Sequence, residues 1–365
     1  MTPSVPTHDA AIYIGRFQPF HLGHAALLRQ ALAAAPVCVV VIGSAYQART
    51  PKNPFTWQER AEMVRLTLPE IDRVRVLFLP MRDYYDETRW AAAVRRGVDD
   101  LLIRHGMVST ARVVLVGHFK DPTSEYLKGF PDWTLHSVER NLPVDATALR
   151  DAYFSCAGDS VDATLAALVN HAPTSTLDFM RAWAALPQFV AIAEEWRMLK
   201  GYREAWAAAP YPPVFVTVDA VVRCAGHVLL VRRGQAPGKG LYAMPGGFIE
   251  QRETAYQSAL RELREETHLD LLGLTVRRCL KSTAVFDHPD RSLRGRTITH
   301  AHFFDLGERE LPEVVAGDDA AAVEWVPIER IASLEECFLD DHFHMLDHFL
   351  ALTGPERIWN HTVPA

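Results

Sequence analysis

Ile14-Gly15-Arg16-Phe17-Gln18-Pro19-Phe20-His21-Leu22-Gly23-His24 follows a short apolar run, Ala11 to Gly15, and leads directly into the helically spaced stretch Ala25 to Ala35. Strand, turn and helix in that order open an alternation that continues through Val37 to Gly43, Thr56 to Thr67, Val74 to Pro80, Trp90 to Arg104 and Val113 to Gly117. Such regular alternation predicts an α/β, doubly wound parallel sheet, Rossmann-like in layout. Val37 to Ile42 and Val113 to Val116 are apolar without interruption, as strands covered on both faces must be. Their exits, Gly43 and Gly117, fall on the edge where these sheets bind ligands. His21 and His24, three residues apart on an incipient helical turn, point the same way, and Gly23 between them leaves room for a ligand to approach the backbone. Unpaired N–H groups and the positive end of the helix dipole complete a place for polyphosphate oxygens.

Beyond the sheet, residues from about Asp159 to Ala209 read as helix throughout, with no visible chemistry. Ala207-Ala208-Ala209-Pro210-Tyr211-Pro212-Pro213 breaks the periodicity. The expected domains are therefore 1–209, with a helical C-terminal extension, and 210–365. The second domain opens on strands, Val214 to Cys224 and His227 to Arg232. After a turn-rich Gly234 to Gly240 and one long polar helix come Val276 to Ser282, Thr297 to Leu306 and Ala322 to Trp325, closed by a helix from Leu339 to Leu352. That order predicts an α+β domain with a mixed sheet.

The chain has 365 residues, 48% hydrophobic and 23% charged, enough for two cores. A formal net charge of −7 argues against nucleic acid and anionic membranes as partners and leaves small ligands, held in local basic pockets. Met1 to Ala10 lacks the basic-then-apolar layout of an export signal, and no apolar run approaches about 20 residues. Cys38, Cys156, Cys224, Cys279 and Cys337 are scattered, odd in number and free of Cys-x-x-Cys, so neither a disulfide framework nor a zinc site is expected. A reducing cytoplasm is the natural home; a homo-oligomer stays open.

A second constellation lies in the polar helix. Gly247-Phe248-Ile249-Glu250-Gln251-Arg252-Glu253 is followed, seven residues later, by Arg261-Glu262-Leu263-Arg264-Glu265-Glu266-Thr267-His268-Leu269. Glu262, Glu265 and Glu266 stand at i, i+3 and i+4, so a helix gathers three carboxylates within one arc beside an apolar stripe of Tyr256, Ala259, Leu260 and Leu263. A solvated Glu/Arg face explains most such runs, but the whole spacing with Gly247 and Glu253 favours binding of a hard divalent cation, Mg²⁺ or Mn²⁺. Glu253 and Arg261 are expected to form a structural salt bridge.

The first constellation resembles the nucleotidyltransferase superfamily with its His-x-Gly-His signature. Gly43-Ser44-Ala45-Tyr46, Asn53-Pro54-Phe55-Thr56, Glu59-Arg60 and Pro80 to Trp90 narrow the likeness to archaeal-type nicotinamide mononucleotide adenylyltransferases. The resemblance implies that His21, His24 and Arg150 are catalytic, stabilising charge as a phosphate of nicotinamide mononucleotide attacks the α-phosphorus of ATP. It implies that Gly15, Arg16, Phe17, Gly23, Asn53, Gly117, Lys120 and Thr147 bind substrate, and that Trp90 stacks on nicotinamide. The superfamily's Ile-Ser-Ser-Thr-x-x-Arg signature appears as Val144-Asp145-Ala146-Thr147-Ala148-Leu149-Arg150, with an aspartate where a phosphate-contacting hydroxyl is expected.

The second constellation is a nearly complete Nudix box, and the likeness runs from about Val214 onward. It implies that Glu262, Glu265 and Glu266 bind metal, with Glu265 and Glu266 catalytic and Gly247, Glu253 and Arg261 structural. The general base is open among Glu265, Glu266, Asp318 and Asp319. His268 replaces the family's glycine, so altered helix termination is expected. Pro237 to Gly247 and Phe286 to Thr297 look like Nudix domains that hydrolyse ADP-ribose, with Arg291, Arg294 and Arg296 neutralising the diphosphate and water attacking it to give AMP and ribose 5-phosphate. Together the two parts resemble bifunctional nicotinamide mononucleotide adenylyltransferase/Nudix hydrolases, acting on ATP, nicotinamide mononucleotide and ADP-ribose. Two alternatives remain: a Nudix domain that senses ADP-ribose without cleaving it, or a first domain that transfers its nucleotidyl group to another small phosphate.

Overall fold

In the computed structural model, which describes residues 7–107, 111–118, 129–139, 144–156, 160–269, 277–317 and 320–353, the chain forms two compact units, Met1–Glu194 and Glu195–Ala365. The first contains β1 (Ala10–Gly15), α1 (Leu22–Ala34), β2 (Val37–Ile42), α2 (Trp57–Thr67), α3 (Glu70–Arg73), β3 (Val76–Pro80), α4 (Glu87–Arg104), β4 (Val113–Gly117) and β5 (Thr134–Ser137). Helices α5 (Ala146–Ser155), α6 (Val161–Ala167) and α7 (Thr174–Trp183) follow. The division between units falls inside α8 (Pro187–Ala205), earlier in the chain than the proline-rich stretch.

The five strands run parallel in the order β3-β2-β1-β4-β5, the doubly wound sheet that the alternation predicts. The order reverses between β1 and β4, which puts the crevice of the sheet at the exits of these two strands, the loop after Gly15 and the residues around Gly117. Ile12, Ile14, Val39, Val41 and Leu115 bury one face of the sheet against Val94 and Val98 of α4. Truncating any of these to alanine would cost about 1–5 kcal/mol, which is why the loops they hold are firmly placed. β5 escapes a reading by hydrophobic pattern because all four of its residues are exposed.

The second unit contains β6 (Val214–Cys224), β7 (His227–Arg233), β8 (Tyr242–Ala243), β9 (Gly246–Phe248), α9 (Ala255–Thr267), β10 (Leu280–Phe286), β11 (Arg296–Asp305) and β12 (Ala320–Pro327), then a closing helix, His342–Leu350. Its mixed sheet runs β10-β11-β6-β7-β12, with β8 on β7 and β9 on β6; β6 and β11 are parallel from Arg296↔Val214 to Asp305↔Arg223. Strand alternation divides two cores: Val221, Val228 and Leu230 face Phe343 and Leu346, while Ala220, Val222 and Leu229 face Leu263 of α9. The strand expected at Val276 to Ser282 lies later, at Leu280–Phe286, because residues 277–279 are helical and pairing with β11 sets the register.

Candidate active sites

His21 ends the β1 loop as the N-cap of α1, and it forms a reciprocal capping box with His24. The backbone N–H of His24 donates to His21 Nδ1, and that of His21 to His24 Nδ1, both at 3.3 Å. A neutral imidazole that accepts at Nδ1 carries its proton on Nε2, so both rings are N–H donors, that of His24 toward the Pro19 carbonyl. The rings stack at 3.6 Å between centroids. Burial, then the neighbouring His21 and His118, hold the His24 pKa well below the usual imidazole range. A Cβ on Gly23 would come within 3.0 Å of His21 Cε1, so glycine at this position gives the imidazole its room. Phe17 differs from expectation: at 1% exposure it is core, packing edge-on against His24 at 5.0 Å.

Three guanidinium groups crowd the same strand exit. Arg150 donates to the Gln18 carbonyl at 2.6 Å and to Thr147 Oγ1 at 3.1 Å; burial first and Arg16 second push its pKa down to about 10. Arg60, 1% exposed, donates to the carbonyls of Arg16 and Gly43 at 2.7 Å and of Ser44 at 3.0 Å. Burial pushes it down to about 9, although Asp83 works in the opposite direction. Two desolvated guanidinium groups repelled by the exposed Arg16 make a cationic cluster suited to a polyphosphate. The aspartate that replaces a serine in the second motif acts locally, since Asp145 caps α5 by accepting the Thr147 N–H at 2.9 Å.

Asp83, within the Pro80 to Trp90 stretch but given no role there, organises the exits of β2 and β3, accepting from Ser44 Oγ at 2.6 Å and Gln47 Nε2 at 2.9 Å. Gln47 in turn accepts from Asn53 Nδ2 at 2.5 Å, which leaves the buried Asn53 Oδ1 without a hydrogen-bond partner among the described residues. Trp90, in the first turn of α4, is half-buried and meets Phe130 edge-on at 5.8 Å. Gly117 ends β4. Lys120 lies outside the described residues.

In the second unit, α9 opens on a Thr254/Gln257 capping box and closes on His268 at φ 50. The helix therefore ends in the left-handed residue that glycine would supply, not in an altered way. Room for the imidazole comes from Gly317, whose Cβ would lie 2.3 Å from His268 Cε1 and 2.4 Å from the Glu265 carbonyl. Arg261 joins Glu253 at 3.1 Å, as expected, but also Glu262 at 2.9 Å and Glu265 at 2.8 Å. Burial opposes its charge, yet these carboxylates hold its pKa above the ordinary value. The Glu262 carboxylate lies over Gly247, and Glu266 Oε2 accepts the Gly246 N–H at 3.1 Å. The Glu266 pKa is pushed up to about 8, by burial first, with Glu262 and Asp219 adding to it against the Gly246 N–H.

Carboxylate oxygens that repel each other in partial burial fit a hard divalent cation. Among the described residues no three such side chains stand at ligating distances, and Glu265 is paired with Arg261. Asp318 and Asp319 lie outside the described residues.

Glu266 lines a cleft with Asp219, Arg233, Arg291, Ser292, Arg294, Asp340 and His342. Of the three arginines expected to meet a diphosphate, Arg294 lines it and stacks over Phe248 at 5.1 Å. Arg291 lines it too, but is committed to a buried pair with Asp341 at 2.8 Å. Arg296 instead bonds the Asp287 carbonyl and is not on the wall. Asp219, missed by motif reading, is 5% exposed, accepts from Thr299 Oγ1 at 2.5 Å and lies 3.9 Å from His342 Nε2. A lone carboxylate inside the apolar strand Val214–Cys224 was the available signal.

Residues 12–99 match the Cytidylyltransferase-like family and residues 213–349 the NUDIX domain. A crystal structure of a bifunctional NMN adenylyltransferase/ADP ribose pyrophosphatase from Francisella tularensis, complexed with AMP and Mn ion, is 32% identical. The match covers 94% of this chain and 99% of that one, with a TM-score of 0.83. A nicotinamide/nicotinic acid mononucleotide adenylyltransferase of Acinetobacter baylyi is 30% identical over 52% of this chain and 94% of its own length. An ADP-ribose pyrophosphatase of Methanocaldococcus jannaschii is 34% identical over 33% of this chain and 65% of its own length. Among the described residues, no helix is long and apolar enough to cross a membrane. With both halves of the chain matched in order and nearly end to end, this protein belongs to the bifunctional NMN adenylyltransferase/ADP-ribose pyrophosphatase family.

Proposed function

We propose that the chain makes NAD and pyrophosphate from ATP and nicotinamide mononucleotide in residues 1–209, and hydrolyses ADP-ribose to AMP and ribose 5-phosphate in residues 210–365. The observation that carries this reading is the presence, in one chain, of a stacked imidazole donor pair beside an arginine cluster and of a carboxylate-lined cleft. At the first site the imidazoles of His21 and His24 and the Arg150 guanidinium offer N–H donors to the triphosphate, so negative charge that grows in the transition state meets fixed donors. Little more than position is required, because the attacking phosphate oxygen is already a nucleophile. Arg16 adds charge, and Arg60 holds the strand exits by their carbonyls. Asn53 and Trp90 are assigned to the nicotinamide side.

At the second site Glu262 and Glu266 would hold a divalent cation, Mg²⁺ or Mn²⁺, with Glu265 reaching it once released from Arg261. When bound, that cation supplies Lewis-acid charge for the diphosphate oxygens. Arg294 and Arg233 offset phosphate charge from the cleft wall, and Glu253 with Arg261 fixes the loop to α9. The five cysteines are free thiols, which suits a cytoplasmic setting. Incubating the purified chain with ATP plus nicotinamide mononucleotide, and separately with ADP-ribose and Mg²⁺, tests the reading: NAD in the first and AMP in the second are expected. Failure of either product removes that half.

A further inference from the structure

The cleft that holds Glu266 also carries Asp340, to which the hydrolytic reading gives no role. Its neighbour Asp341 is consumed by the buried two-pronged pair with Arg291, at 2.9 and 2.8 Å. Asp340 instead accepts a hydrogen bond from Ser292, with Arg294 nearby, and among the described residues it forms no direct ion pair. Its backbone sits at φ 43, in the left-handed region that Asp, Asn and Gly enter more readily than other residues. Burial and the adjacent Asp341 push its pKa up to about 6. A partly buried carboxylate on the cleft wall, held among the described residues by a serine hydroxyl and by no ion pair, keeps acceptor capacity for what enters the cleft.

Phosphate oxygens would be repelled by this group. Hydroxyls would not: an ionised carboxylate is acceptor-only, and a vicinal diol presents two O–H donors spaced for its two oxygens. We propose that Asp340 receives a ribose diol of the nucleoside-diphosphate sugar cleaved here, and thereby selects ribosylated substrates over those lacking these hydroxyls. This inference rests on the hydrolytic reading of the second unit.

Asp340→Asn and Asp340→Gly test it, since both residues accept the left-handed backbone. Steady-state kinetics would be run with ADP-ribose and with two analogues, one lacking the 2′-hydroxyl of the adenosine ribose and one lacking a hydroxyl of the distal ribose. The expected result is a KM for ADP-ribose raised about 10- to 100-fold in both variants at nearly constant kcat, with much less change for the analogue that lacks the contacted hydroxyl. An unchanged KM for ADP-ribose, or an equal rise for ADP-ribose and both analogues, overturns the inference while the hydrolytic reading stands. Wild-type protein that turns over no ADP-ribose sinks both.

Discussion

The two units face the same ligand chemistry, phosphate oxygens of a nucleotide, with opposite charge. At the first site Arg16, Arg60 and Arg150 crowd together and two of them are pushed down to about 9 and 10. At the second, Glu262, Glu266 and Asp219 crowd together and Glu266 is pushed up to about 8. Each arrangement is uncomfortable without its ligand, one wanting an anion and the other a cation that can in turn hold an anion. A phosphate site therefore need not be basic, and a net charge of −7 says little about local partners.

If the two charge sets are separate devices, altering one should leave the other site untouched. Glu266→Gln is expected to lower ADP-ribose hydrolysis by about 10³ while NAD synthesis stays within twofold; coupled assays on one preparation check it. Because burial disfavours the ionised form, the same change should not lower Tm. His24→Ala is expected to cut NAD synthesis by about 10² and leave hydrolysis alone. Gly23→Ala is milder, since its Cβ would press on the His21 ring from 3.0 Å; about tenfold slower NAD synthesis at near-native Tm is the expectation.

Two stability measurements refine the picture of the second unit. Gly317→Ala would set a Cβ 2.4 Å from the Glu265 carbonyl and against the His268 ring; the expected loss is about 1–3 kcal/mol by denaturant unfolding. His268→Gly in the same background should restore part of it. Asp340 adds a pH effect. Its folded pKa is raised from 3.8 to about 6, so the folded state holds the proton more tightly than the unfolded chain, and stability falls as pH rises through that window. Asp340→Asn should therefore melt with wild type near pH 4 and above it near pH 7. A constant offset at both values would deny the shift.

Legibility followed the same division. The parallel strands of the first unit were readable because both faces are buried and the runs are wholly apolar, whereas β5 was hidden by four exposed residues. His21, His24 and the α9 carboxylates were readable because helical spacing converts directly into shared direction. The reason for Gly23 was not, since only the folded chain brings the His21 ring into the space glycine leaves. Arg60, Asp83, Asp219 and Asp340 act through partners 16 to 80 residues away or through a cleft assembled from several strands, and no local pattern reports that. Arg291 and Arg296 mark the converse error: a run of arginines shows charge but not which of them is already engaged by Asp341 or by the Asp287 carbonyl.

Two oppositely charged sites acting independently within one chain is the proposition on which the rest depends. Its decisive trial is to measure both reactions side by side for folded Glu266→Gln and His24→Ala protein. A crossed pattern, each variant losing only its own product, is the predicted result; loss of both products from either variant with an unchanged melting curve would contradict it.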